Sequence, residues 1–126
     1  MNRFVFFFLL ISNSALAEVA DCLNPQEHSG VSKIAEFNCA EGMCGIRVTA
    51  PLKYEGYNFV GFTLIKIRDD SPALYVPMEY HAQESLAEVT FYANYEETSI
   101  LRVAGFFSKA GECGVQSTVE FTQHNK

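Results

Sequence analysis

From Val31 onward, apolar residues recur at every second position over short runs, without the three-and-four spacing of an amphipathic helix. A period of two sends alternate side chains to opposite faces of a strand. The pattern predicts strands near 32–39, 44–50, 57–68, 73–80, 86–93, 99–107 and 113–122. Turn chemistry separates them: Glu41-Gly42, Glu55-Gly56, Asp69-Asp70-Ser71-Pro72, residues 94–98, and residues 108–112 with Gly111. About seven short strands with tight turns predict an all-β fold, an antiparallel β-sandwich or a small barrel. Only the segment after His81, AQESLAE, suggests one or two helical turns.

The alternation also assigns faces. Leu74, Val76, Met78 and Tyr80 share one face of a strand, with Tyr75 and Glu79 on the other. Ala87, Val89, Phe91 and Ala93 likewise oppose Glu88, Thr90 and Tyr92. The run YNFVGFTLIKIR is apolar on both faces, with Phe59, Ile65 and Ile67 against Val60, Phe62 and Leu64. That marks a central strand covered on both sides, or one whose second face meets a partner; burial is the favoured reading. CGIRVT at 44–49 and CGVQST at 113–118 both start a strand with Cys-Gly, a likeness short enough to arise by chance.

The chain opens MNRFVFFFLLISNSALA. Arg3 precedes an apolar run over 4–11, and Ala15-Leu16-Ala17 has the small-x-small form read by signal peptidase. The run of eight residues is far short of the roughly 20 needed to span a bilayer. The expectation is a cleaved signal peptide, 1–17, of bacterial character, and a single mature domain, 18–126, in the periplasm or outside the cell. Cys22 follows Ala20-Asp21, a poor setting for a lipid-modified cysteine, so no membrane anchor is expected after cleavage.

All four cysteines, Cys22, Cys39, Cys44 and Cys113, survive that cleavage, and an even count in a short exported chain reads as two disulfides. In FNCAEGMCGIRV, a hairpin that sets Cys39 opposite Cys44 also sets Phe37 opposite Ile46 and Ala35 opposite Val48, one apolar face throughout. Cys39–Cys44 with Cys22–Cys113 is therefore the favoured pairing. Cys22–Cys39 with Cys44–Cys113, an inter-sheet bridge, remains open. A stapled tip would hold Glu41 and Met43 outward. The C-x4-C spacing also resembles the protruding loop of a family of vertebrate-lysozyme inhibitors found in Gram-negative periplasms. That family's loop carries a histidine, which Ala40-Glu41-Gly42-Met43 lacks, and the likeness spans only the six residues from Cys39 to Cys44.

Catalytic and metal chemistry find little support. His28, His81 and His124 are far apart, with no ligand pair at short spacing, and no cofactor or metal is expected. His81 shares a strand face with Glu79, which reads as an exposed strand end. Asp69-Asp70 reads as turn chemistry. G-x-S-x-G, S-x-x-K and H-E-x-x-H are absent, and paired cysteines leave no thiol to activate. Two carboxylates could still meet in space for glycoside chemistry, but a chain without tryptophan offers poor stacking for sugars. The protein is not expected to be an enzyme.

Charge is more informative. The formal net charge is −6, and one unit more negative once Arg3 leaves, so nucleic acid is an unsuitable partner. Between Arg68 and Arg102, 33 residues hold Asp69, Asp70, Glu79, Glu84, Glu88, Glu96 and Glu97 and no lysine or arginine. In a meander these acids would gather on one sheet face or rim, interleaved with Tyr75, Tyr80, Tyr92 and Tyr95. Tyrosine adds contact area and carboxylates steer a basic protein, whereas the plainer reading is a solvated acidic face. In Gly105-Phe106-Phe107-Ser108-Lys109, read as a hairpin tip, Phe106 is a further candidate anchor. The expected function is an exported acidic binding protein, an inhibitor or immunity-type protein against a cationic hydrolase such as lysozyme. An envelope structural or adhesive module, or a small-ligand or sugar-binding domain, is the alternative.

Overall fold

In the computed structural model, residues 24–121 are described; the segment 1–17 and Cys22 lie outside them. Ten strands follow in chain order among these residues: β1 (Gln26–Glu27), β2 (Lys33–Ala40), β3 (Met43–Pro51), β4 (Lys53–Tyr54), β5 (Tyr57–Arg68), β6 (Ser71–Met78), β7 (His81–Gln83), β8 (Leu86–Asn94), β9 (Leu101–Ser108) and β10 (Val115–Glu120). A 3₁₀ turn, Tyr95–Ile100, sits between β8 and β9. The three strands beyond the seven expected, β1, β4 and β7, are two or three residues long, too short for alternation to show.

The turn residues make the hairpins. Glu41 and Gly42 have φ of 55° and 82°, Glu55 and Gly56 50° and 87°, Asp69 and Asp70 55° and 64°. Left-handed φ at both central residues gives the twist that two-residue hairpins need. Between β7 and β8 the two-residue turn is Glu84-Ser85, where Glu84 alone has positive φ, at 56°. The AQESLAE segment is thus a hairpin rather than a helical turn, because Ala82 and Gln83 pair with Ala87 and Leu86. The one helical piece among the described residues falls at Tyr95–Ile100, where Thr98 Oγ1 donates to Tyr95 O at 2.8 Å.

The strands form two sheets, ordered β1-β10-β9-β5-β4, with β6 also on β5, and β2-β3-β8-β7. Every pairing is antiparallel except β1 on β10. The sheets pack face to face as a sandwich around Ile46, Val48, Val89, Phe59, Phe62, Val103, Phe107, Val115 and Phe121. The expected meander does not occur: β6 belongs to the first sheet and β7 and β8 to the second, so the chain crosses between them after Met78.

Two bulges adjust the expected faces. β5 slips register between Phe59 and Gly61, so Phe59 and Phe62 both point inward, with ring centroids 4.7 Å apart, while Val60 is exposed. Strict alternation had set those phenylalanines on opposite faces. Ile65 is buried on the other face of β5, away from the main core, between Tyr75 and Arg102 in register. In β2 the bulge falls at Ala35, so Ile34 rather than Ala35 stands opposite Val48.

The hairpin disulfide is Cys39–Cys44, with Cα atoms 3.9 Å apart and Cys44 fully buried. This excludes the inter-sheet alternative. Cys113 is also disulfide-bonded; the pairing expected for it, with Cys22, involves a residue outside the described range.

Candidate functional site

One end of the sandwich collects three connections. The β2–β3 tip meets the 3₁₀ turn, where Tyr95 N donates to Gly42 O at 2.9 Å, and that turn packs on β5, β8 and β9. The Asp69-Asp70 turn closes the same end of β5, because Lys66 stands beside Leu101 at the start of β9. A groove of about 360 Å³ opens here. Its floor is Leu64 and Leu101, and its walls are Leu74 and Val76 of β6 and Phe91 and Ala93 of β8. Met43, Tyr92, Asn94, Lys66 and Glu97 line its mouth.

The groove follows from the strand lengths. Leu74 and Val76 pair with Lys66 and Leu64, in line with Leu101 and Val103, so they point to the inner side of the sheet. They remain 52% and 39% exposed, because the second sheet does not reach across them. β7 pairs β8 only as far as Glu88, and the remaining length of β8 faces the gap.

Glu41, at the tip, and Glu96 and Glu97, in the first turn of the 3₁₀ segment, are exposed, as are Asp69 and Asp70. By topology these five carboxylates rim this end, against Lys66 and Arg68. The acid tract therefore divides. Glu79 lies in the β6–β7 crossover and Glu84 in the β7–β8 turn. Glu88 is held on the outer face by Arg47, Nε to Oε2 at 3.4 Å, while the same guanidinium reaches Glu36 Oε1 at 3.3 Å. The expected single face does not form: four of the tract's seven acids, joined by Glu41 from outside it, rim this end and the other three lie elsewhere, because the chain changes sheet after β6.

The remaining candidates separate similarly. Met43 and Tyr92 meet the groove; Tyr92 is 73% exposed and lays its ring along Gly45, where an added Cβ would sit 3.2 Å from it. Tyr95 is half-buried against the core. Tyr75 is exposed on the opposite side of β6, away from the groove. Phe106 is half-buried within β9, opposite Gly61 and Gln116, and not at a hairpin tip, since β9 runs on to Ser108. Leu64, Leu74, Val76 and Phe91 were not singled out from the sequence. Their apolar alternation was visible, but whether the opposing sheet would cover them was not.

Among the described residues no three His, Cys, Asp or Glu side chains are grouped to hold a metal ion, and no helix is long and apolar enough to cross a membrane. No protein-family model matches the chain, and no curated protein or solved structure is significantly similar to it.

Proposed function

We propose that the protein is an exported acidic binding protein whose groove end receives a cationic protein, as an inhibitor or immunity-type partner of a cationic hydrolase such as lysozyme. The observation that carries this reading is the coincidence of five rim carboxylates with exposed apolar side chains, Met43, Leu74, Val76 and Tyr92, around one groove. Carboxylates accelerate and orient the approach of a basic surface, and desolvated apolar contacts then hold it. The signal-like residues 1–17 and the Cys39–Cys44 disulfide support export to an oxidising compartment. The staple keeps Glu41 and Met43 in place before contact, which lowers the entropy lost on binding.

Calorimetry against vertebrate-type lysozyme at about 20 mM and about 300 mM salt tests the reading. Affinity at low salt, weakened at high salt and by Glu96→Lys with Glu97→Lys, is expected. No affinity at low salt, or an unchanged one in the double variant, rejects it.

A further inference from the structure

The register identifies which backbone groups face the groove. In antiparallel sheets, successive residues of a strand direct their N–H and C=O alternately to one neighbour and the other. Ala40 and Met43 flank a two-residue turn, so they exchange hydrogen bonds, and Met43, Gly45 and Arg47 face β2. Cys44, Ile46 and Val48 then face β8, bonding Ala93, Phe91 and Val89. The bond from Tyr95 N to Gly42 O continues the same parity. Leu86 and Glu88 point the other way, to Gln83 and His81 of β7. Beyond them Thr90, Tyr92 and Asn94 point into the gap that β7 leaves, with no strand partner among the described residues.

β6, across the groove, differs. Thr118 N donates to the Glu27 carboxylate at 2.8 Å, which directs Thr118 away from β9. Carried through Ala104 and Thr63, the alternation directs Tyr75 and Pro77 away from β5. Pro77 has no N–H there, and the bulge at Ala73 follows Pro72. These are devices that prevent a strand from adding to an edge. β8 carries no proline along its open half.

We propose that the groove binds an extended segment of the partner as an added strand on β8, antiparallel to it and continuing the line of β7. This rests on the reading of the groove end as a protein-binding site and specifies its ligand. Side chains of an added strand alternate between the apolar floor at Leu64 and Leu101 and the solvent face beside Tyr92. The segment is therefore apolar at every second position and carries Lys or Arg between, matching the carboxylates of Glu41, Glu96 and Glu97. Main-chain bonds supply affinity, and the groove and rim supply selectivity.

The probe is a synthetic hexapeptide alternating Val and Lys, with two derivatives N-methylated on alternate residues, one set per edge. The unmodified peptide is expected to slow amide exchange at Thr90 and Tyr92. N-methylation of the β8-facing set should weaken binding about tenfold or more, and the other set should leave it nearly unchanged. Leu74→Lys should also weaken it. Equal binding of both methylated forms, or protection instead at Phe37 and Cys39 on the edge of β2 that is unpaired among the described residues, overturns strand addition. A cationic hydrolase that binds without protecting Thr90 and Tyr92 also overturns it and leaves the functional reading standing. Peptide addition to β8 with no hydrolase affinity supports the inference and rejects that reading.

Discussion

Ser32 Oγ is buried without a hydrogen-bond partner among the described residues, although Ser32 N donates to Ser117 Oγ at 2.8 Å. It lies against Gly105, where an added methyl would sit 2.6 Å from that oxygen and 3.3 and 3.4 Å from Phe59 and Phe62. Gly105→Ala should therefore cost about 1–3 kcal/mol through overpacking. Ser32→Ala removes a hydroxyl that gains nothing from burial and should be neutral or stabilising by up to about 1 kcal/mol. In the double variant Ser32→Ala should recover part of the Gly105→Ala loss, since the two sites touch. Urea unfolding of the four proteins checks this; strict additivity would show that Phe59 and Phe62, not Ser32, set the constraint. Such contacts were not legible in the sequence. The cysteine register was, because Cys39, Phe37 and their partners repeat at period two, whereas the bulge at Ala35 has no composition signal and misplaced one pair.

At the scale of elements, the β9–β10 connection is held by a polar cluster. Tyr57 Oη donates to Glu112 Oε1 at 2.8 Å, and Lys109 Nζ is 3.4 Å from Glu112 and 5.4 Å from the centre of the Tyr57 ring. The hydrogen bond from Tyr57 is the main influence lowering the Glu112 pKa, with Lys109 next, and it raises that of Tyr57. A carboxyl whose folded pKa is lowered adds stability above its unfolded pKa and loses it as pH falls through the folded value. Tyr57→Phe should thus lower the melting temperature near neutral pH, and the gap to the parent should close as pH drops below the ordinary carboxylate range. A gap unchanged by acid would assign the loss to packing. The stapled hairpin offers a second measure: Cys39→Ala with Cys44→Ala opens a short loop and should cost about 2 kcal/mol by loop entropy. The hairpins at Glu41-Gly42, Glu55-Gly56 and Asp69-Asp70 were readable because such turn pairs announce themselves, whereas Glu84-Ser85 carries no such pair and its hairpin read as a helical turn. The two-residue β1 and β4 were not, since tertiary pairing alone makes them strands.

For the whole molecule, the sandwich followed from alternation, but the site depended on which strands each sheet covers, and the crossover after Met78 is set by packing. That crossover divides the acid tract and leaves four of its carboxylates at the groove end, where Glu41 of the β2–β3 tip makes a fifth. Like charges gathered on one rim repel, so the arrangement should lower stability at low ionic strength. Replacing Glu96 and Glu97 by lysine should then raise the low-salt melting temperature slightly, by the equivalent of a few tenths of a kcal/mol, and added salt should erase the gain. The same substitutions should weaken capture of a cationic partner. The two effects separate a binding surface from an ordinary solvated face. A solvated face gains stability and loses no association, whereas a binding rim gives up association as it gains stability. Thermal melts and binding measured on the same double variant across a salt series therefore decide what the rim is for, and a variant that loses neither stability nor affinity would leave the rim without a role in recognition.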